Sequence, residues 1–148
     1  MERSVPLRRD DTRLLDEGPR ATVQGSATRL LVADDDDAIR EMVARALCAE
    51  GFDVVTAKDG AEALALFRSR GPYGLLLLDE EMPGLTGCQI LTQLRSEGVV
   101  VPALLHSGSL ELAGDDAMRL GAMLLRKPAS LTALAAAVRQ TITARLVR

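Results

Sequence analysis

The sequence contains no tryptophan and few aromatic residues of any kind. Phe52, Phe67 and Tyr73 make up the 2% of the chain that is aromatic, so a stacking platform for single-stranded nucleic acid is not expected. The net charge is −3 and no block of basic residues is present, so the chain has no electrostatic signature of DNA or RNA binding. Direct recognition of nucleic acid is therefore not expected.

Cysteine and long apolar segments are also scarce. Cys48 and Cys88 lie in separate predicted helices and form no CxxC pair. We expect two small buried side chains in a reducing compartment rather than a disulfide or a metal site. No apolar run reaches membrane-spanning length, and the first residues lack the apolar segment of a signal peptide. These absences predict a cytoplasmic protein without membrane contact.

The chain is nevertheless long and apolar enough to form one domain with a sizeable core. It has 148 residues, of which 47% are hydrophobic, mainly leucine, valine and alanine. Residues 1–28 differ from the rest, because five arginines alternate there with five acidic residues and little apolar periodicity is present. This composition predicts a flexible N-terminal arm, followed by a single domain over residues 29–148.

Apolar runs and helical stripes alternate along that domain. The clearest run is Leu75-Leu76-Leu77-Leu78, whose lack of polar alternation predicts a strand buried on both faces of a parallel sheet. Further strands are predicted at four places, and helices with one apolar face lie between them. These strands are residues 30–33, 52–57, 99–105 and 123–125.

The predicted helices begin at residues that commonly cap helices. Asp36 or Asp37 can cap the first helix, whose apolar stripe includes Met42. Ser130 caps the last helix, and four of its residues are expected to face inward, namely Leu131, Leu134, Val138 and Ile142. Five strands alternating with five helices predict an α/β fold, a flavodoxin-like doubly wound parallel sheet with strand order 2-1-3-4-5.

Chemically active side chains follow the predicted strands at their carboxyl ends. Asp34 and Asp35 follow the first strand, and Asp79 ends the third. Ser107 and Lys127 follow the fourth and fifth strands. The carboxyl ends of parallel strands meet at one edge of the sheet, where ligands bind in folds of this kind. We therefore expect these five residues to face one crevice.

Three carboxylates in one crevice repel one another, which raises their pKa values unless a cation compensates. Mg²⁺ is the usual cation, because it takes one or two carboxylates and completes its shell with water and phosphate oxygens. Lys127 adds a charge suited to a phosphoryl oxygen, and an aspartate can attack phosphorus as a nucleophile. In the alternative interpretation, the aspartates cap helices, Ser107 is a loop residue and Lys127 is a solvated charge.

Four motifs occur in order along residues 29–147. They are Leu30-Leu31-Val32-Ala33-Asp34-Asp35-Asp36 with Ala38-Ile39-Arg40-Glu41, Leu77-Leu78-Asp79 with Met82-Pro83-Gly84 and Gly87, Ser107-Gly108, and Lys127-Pro128. Together they resemble the receiver domain of bacterial two-component response regulators, of the single-domain chemotaxis type. The motifs are spread over the whole domain, so the resemblance is specific.

The resemblance implies a phosphoacceptor and a metal site. Asp79 would accept the phosphoryl group, and Asp34 and Asp35 would hold Mg²⁺ together with Asp79. Asp35 would bind the metal directly and Asp34 partly through water. The backbone carbonyl of Glu81, two residues after the acceptor, would be a further metal ligand.

The resemblance also implies a switch. Ser107 would move its hydroxyl onto the phosphoryl group, Lys127 would pair with that group, and the bond to Pro128 is often cis in the family. Two positions depart from the family pattern. Leu124 stands where Tyr or Phe is usual, so the aromatic rotamer switch of the family is not supported here, and Ala129 stands where Phe is frequent.

These roles predict a signalling protein rather than an enzyme. A histidine kinase or a histidine phosphotransfer protein would donate the phosphoryl group, and the charge would shift a two-state equilibrium. The last predicted helix ends close to residue 148, so we expect a stand-alone receiver without an output domain. Its downstream target would bind the face built from helix 4, strand 5 and helix 5, and a homodimer is left open.

Two alternatives belong to other functional classes. A small Mg²⁺-dependent phosphatase of the haloacid dehalogenase kind would use Asp34-x-Asp36, but Ala38 stands where that family has Thr or Val. A receiver-like adaptor would bind partners without being phosphorylated. The three aspartates, Ser107 and Lys127 argue against that alternative. Glu80 and Glu81 beside the acceptor, and Leu124, keep it open.

Overall fold

A computed structural model describes residues 27–146, without the side chains of 110–113, 145 and 146. Five strands and five helices alternate in the order β1 (Arg29–Ala33), α1 (Asp37–Ala49), β2 (Asp53–Ala57), α2 (Gly60–Arg70), β3 (Leu75–Asp79), α3 (Gly87–Ser96), β4 (Ala103–Ser107), α4 (Leu110–Arg119), β5 (Met123–Arg126) and α5 (Leu131–Leu146). The strands form one parallel sheet in the order β2-β1-β3-β4-β5. The predicted doubly wound sheet is confirmed.

The four-leucine run forms the central strand, β3, and contributes to both cores. Leu76 and Leu78 pack into the core beneath α2, α3 and α4. Leu75 and Leu77 pack into the core beneath α1 and α5. Successive side chains of a strand point to opposite faces, so an unbroken apolar run is what a sheet covered on both sides requires.

Capping side chains start four of the helices near the carboxyl edge of the sheet. Ser130 caps α5 as predicted, since its hydroxyl accepts from Ala133 N at 3.0 Å. Asp36 is the cap of α1 and accepts a hydrogen bond from the Ile39 N–H at 3.0 Å. Asp59 caps α2 in the same way, and Thr86 caps α3. Since Asp36 has this role, Asp34 and Asp35 are available for other contacts at the end of β1.

The loop from β3 to α3 is held close to the sheet by glycine. Gly84 has φ +79°, a left-handed conformation that favours glycine. A Cβ on Gly87 would lie 2.9 Å from Leu105 Cδ2 and 3.0 Å from Leu78 Cβ, so α3 begins in direct contact with β3 and β4. The segment with Glu80 and Glu81 is therefore fixed between the end of β3 and a closely packed helix start.

Tyr73 and Phe67 form an aromatic cluster at the amino edge of the sheet. The rings of Tyr73 and Phe67 stack with centroids 5.8 Å apart, and the Tyr73 hydroxyl donates to the Leu66 carbonyl at 2.9 Å. The Arg29 guanidinium lies 5.6 Å from the centre of the tyrosine ring. This cluster lies before β3, at the end of the strand opposite to Asp79.

The start of the fourth strand is the largest error among the predicted strand boundaries. The sequence predicts the fourth strand from Val99, whereas β4 begins at Ala103. Pro102 has no N–H to donate to a neighbouring strand, and its carbonyl accepts from Leu76 N at 2.9 Å just before β4 starts. Val99 packs against the core nonetheless, which explains why its apolar character resembled that of a strand.

Three side chains expected inside are exposed. Cys48 is exposed, whereas Cys88 is buried as predicted; Cys48 follows Leu47 and so is rotated out of the apolar stripe of α1. Met42 lies at the edge of the same stripe and is 51% exposed. Leu131 is 40% exposed because it is the first residue of α5, and burial begins one turn later at Leu134.

The predicted N-terminal arm falls almost entirely outside the described residues. Of residues 1–28, the structure describes 27 and 28, and the Thr28 carbonyl accepts a hydrogen bond from Asp53 N at 2.9 Å. Within residues 27–146, none of the helices is long and apolar enough to cross a lipid bilayer.

Candidate functional site

Three carboxylates meet at the carboxyl edge of β1 and β3, and we call Asp34, Asp35 and Asp79 the carboxylate cluster. The two strands are neighbours in the sheet, with Ala33 opposite Leu78. One carboxylate oxygen from each aspartate lies within 4.8 Å of the others. Asp34 and Asp79 are 5% and 3% exposed, while Asp35 is exposed. The structure thus brings together the three aspartates that the sequence analysis selected.

Asp34 is held by two donors close to it in sequence, and its charge is only partly compensated. Its Oδ1 accepts from Asp36 N at 2.9 Å, and its carbonyl accepts from Arg40 Nη1 at 2.9 Å. Burial raises the pKa of Asp34 from 3.8 to about 6, and the charge of Asp79 acts in the same direction. The Asp36 N–H and the charge of Lys127 oppose this rise without cancelling it.

The carboxylate cluster fits a hard divalent cation. Mg²⁺ prefers carboxylate oxygens, and each of the three aspartates offers one such oxygen within a small space. The raised pKa of Asp34 has the cause that a bound cation would offset, namely burial of a negative charge beside the charge of Asp79. The Glu81 carbonyl stays a predicted ligand.

Lys127 provides a cation on the other side of Asp79. It follows β5, and its Nζ lies 2.6 Å from Asp79 Oδ1, which also accepts from Glu81 N at 3.0 Å. Burial alone would lower the pKa of Lys127, but the hydrogen bond and charge of Asp79 outweigh burial and raise it. The lysine therefore stays charged. The bond from Lys127 to Pro128 is cis, as the resemblance implies.

Ser107 ends β4 beside Asp79 and is fully buried. Its main-chain carbonyl accepts from Lys127 N at 2.8 Å, which joins the ends of β4 and β5. Its hydroxyl donates to Glu81 Oε2 at 2.7 Å and accepts from Ser109 N at 3.0 Å. The predicted switch hydroxyl is thus already bonded to a carboxylate.

The Glu81 side chain is the part of the site that the sequence analysis missed. The resemblance implied a role for its backbone carbonyl, whereas its carboxylate contacts Ser107, Gly108 and Lys127. The position two residues after Asp79 indicates proximity to the acceptor. Nothing in the sequence indicates which way the side chain of a loop residue points.

His106 is buried next to the site but faces away from Ser107. Alternation along β4 places it on the same face as Leu104, towards α1 and α5. Burial lowers its pKa, so the ring is neutral, and within residues 27–146 its Nε2 has no hydrogen-bond partner.

A comparison with protein families matches residues 30–139 to the response regulator receiver domain. Among curated proteins, response regulator MprA of Mycobacterium bovis is 43% identical over 95 residues, which cover 62% of this chain and 41% of MprA. The chain thus spans less than half the length of this relative.

Solved structures give the same family. The receiver domain of the Francisella response regulator 1452 is 30% identical with a TM-score of 0.73, over 80% of this chain and 98% of that one. The response regulator protein TrrA from Thermotoga maritima, solved in complex with Mg²⁺-BeF, is 30% identical with a TM-score of 0.69, over 77% and 98%. Since the family match covers 30–139 and the sheet order and motifs agree with it, this chain belongs to the receiver domain family of two-component response regulators.

Proposed function

We propose that Asp79 accepts a phosphoryl group from a histidine kinase or a histidine phosphotransfer protein. The observation that carries the proposal is the position of Asp79, buried at the end of β3 with Lys127 at 2.6 Å on one side and two further carboxylates on the other. In the transfer, the P–N bond of the donor phosphohistidine breaks while a bond forms from an Asp79 oxygen to phosphorus. Lys127 orients the acceptor carboxylate and neutralises charge on the phosphoryl oxygens.

The proposed cofactor is Mg²⁺, held by Asp34, Asp35 and Asp79 with the Glu81 carbonyl. When bound, it neutralises charge shared by the carboxylates and the phosphoryl oxygens. TrrA supports this choice, since it was solved with Mg²⁺ and a beryllium fluoride group. Within this chain, the support is the fit of the carboxylate cluster to a hard cation.

The proposed output is a change in protein contacts rather than catalysis, in the cytoplasm as is typical of the family. The face of α4, β5 and α5 is the proposed docking surface for a downstream protein. Met118 and Met123 are 82% and 44% exposed there, and flexible methionines are frequent on binding surfaces. The expectation of a stand-alone receiver stays a prediction, because the chain spans 41% of the relative MprA.

Phosphorylation by acetyl phosphate tests the function. The protein is incubated with acetyl phosphate with and without Mg²⁺, and the adduct is read by intact mass. One phosphoryl adduct is expected with Mg²⁺ and none in Asp79→Asn, which keeps the shape of the side chain but removes the nucleophile. Folded protein that gains no adduct would favour the adaptor alternative, and steady turnover of small phosphoesters would favour the phosphatase.

A further inference from the structure

The Glu81 carboxylate is bound by three donors that lie at the carboxyl ends of β4 and β5. Its Oε2 accepts from the Ser107 hydroxyl at 2.7 Å. Its Oε1 accepts from Gly108 N at 3.0 Å and lies 3.5 Å from Lys127 Nζ. We call Ser107 Oγ, Gly108 N and Lys127 Nζ the anion subsite, because a hydroxyl, a main-chain N–H and an ammonium group converge there on one negative group.

A loop carboxylate at the surface would normally be solvated, but this one is held. The Glu81 side chain is 46% exposed. Burial would raise the pKa of Glu81, yet the hydrogen bonds from Ser107 and Gly108 and the charge of Lys127 lower it. The subsite therefore favours the charged form of its ligand.

The neighbouring Glu80 shows that these contacts are specific. Its Oε1 accepts from Cys88 N at 2.8 Å, in the first turn of α3, away from the anion subsite. Two adjacent glutamates on one loop thus have different partners. Glu80 bonds the start of a helix, and Glu81 bonds the ends of β4 and β5.

We propose that the Glu81 carboxylate is an internal ligand of the anion subsite, which an incoming phosphoryl group has to displace before Ser107 and Lys127 can contact it. The inference rests on the proposed function, since the competing group is the phosphoryl group on Asp79. Carboxylate and phosphoryl oxygens are both anionic acceptors, so they compete for the same charged and neutral donors. Glu81 thereby slows phosphorylation and holds Ser107 in its unphosphorylated position.

Glu81→Gln is the test, with Glu80→Gln as a matched control. Both changes remove one negative charge from the same loop, but only the first removes a charged ligand from the anion subsite. Binding of beryllium fluoride with Mg²⁺, measured by calorimetry, should become roughly tenfold tighter in Glu81→Gln, because the competing charge is lost. The control should change by less than about threefold. Glu81→Ala, which leaves no acceptor, should act in the same direction.

A second measurement needs neither metal nor phosphoryl donor. In metal-free buffer the amide proton resonance of Gly108 should move upfield in Glu81→Gln and Glu81→Ala, since its bond to a charged acceptor is weakened or lost. It should stay in place in Glu80→Gln. An unmoved Gly108 resonance, or equal effects of the two Gln variants on beryllium fluoride binding, would overturn the inference.

The phosphorylation rate separates this inference from the proposed function. Faster adduct formation with acetyl phosphate in Glu81→Gln than in the wild type supports both. Equal rates with equal beryllium fluoride affinities would overturn the internal ligand and leave the proposed function intact. Absence of an adduct on both proteins would overturn the proposed function, while the beryllium fluoride titration still decides whether Glu81 competes.

Discussion

Two carboxylates on opposite sides of Asp79 have opposite electrostatic environments. Burial and the charge of Asp79 raise the pKa of Asp34 to about 6. Burial opposes the charge of Glu81 as well, yet its donors lower its pKa. The difference has two causes. Asp34 is 5% exposed and accepts one main-chain N–H. Glu81 has a side chain that is 46% exposed, accepts from a hydroxyl and an N–H, and lies near an ammonium group. The carboxylate cluster therefore fits a cation from solution, whereas the anion subsite already holds an anion of the chain.

Replacing Lys127, whose ammonium group lies between Asp79 and Glu81, should have the largest effect on stability. Lys127→Met leaves Asp79, which is 3% exposed, without its partner. We expect a loss of about 3 kcal/mol in the free energy of unfolding in metal-free buffer, because a buried charge is left uncompensated. The loss should be smaller with Mg²⁺. Urea denaturation followed by circular dichroism measures both values.

Arg119→Met is the control for that change. Arg119 pairs with Asp116 at 3.1 Å, but both side chains are about half exposed, so the loss should stay below about 1 kcal/mol. Equal losses in the two variants would show that Lys127 is an ordinary surface charge. Lys127 would then not be the charge that stabilises both the carboxylate cluster and the anion subsite.

Neutralising Asp34 in the carboxylate cluster should have the next largest effect, which is an increase in the free energy of unfolding. Native Asp34 keeps its proton up to about pH 6, whereas the unfolded chain loses it near 3.8. The native state binds more protons in this window, so stability falls as pH rises through it. Asp34→Asn should be about 2 kcal/mol more stable than wild type above this window in metal-free buffer. Urea denaturation at several pH values measures the gain.

Mg²⁺ provides the check on that prediction. Because a bound cation stabilises the charged cluster, Mg²⁺ should stabilise the wild type more than Asp34→Asn and so remove the gain. At a pH below the window the two proteins should be equally stable, since Asp34 is then protonated in both states. A gain that is independent of pH would mean that the buried charge of Asp34 is not its cause.

The smallest expected effect on stability is that of Asp36→Ala, and it distinguishes Asp36 from Asp34 and Asp35. Asp36 caps α1, so Asp36→Ala should lose about 1 kcal/mol through the missing hydrogen bond to Ile39 N. The loss should not depend on Mg²⁺, because Asp36 belongs to neither region. Thermal unfolding with and without Mg²⁺ gives the two values. A loss that grows with Mg²⁺ would place Asp36 among the metal ligands instead.

The sequence predicts most of the fold because its signals are local. The leucine run, the capping aspartates and the turn glycines each determine nearby structure, and the alternation of strands and helices leaves one common topology. Strand ends then place Asp34, Asp79 and Lys127 at one edge. The start of β4 was missed because Val99 is apolar and packed without being in a strand.

The Glu81 side chain could not be predicted for a different reason. Its direction depends on the loop between β3 and α3, which is fixed by the close contact of Gly87 with Leu105. Its partners, Ser107 and Gly108, are more than 25 residues away in sequence. Long-range contacts of a loop residue leave no periodic signal in the sequence.

The aromatic cluster at the amino edge has a consequence for spectroscopy. Tyr73 is the one tyrosine in a chain without tryptophan, and it lies before β3 while Asp79 ends that strand. At the usual rise of a strand, the two residues are roughly 15–20 Å apart. The ultraviolet emission of the protein therefore reports the stacking of Tyr73 on Phe67. Loss of that stacking marks unfolding of the whole domain. A fluorescence measurement of phosphorylation at Asp79 therefore needs a fluorophore attached to the loop of residues 80–86.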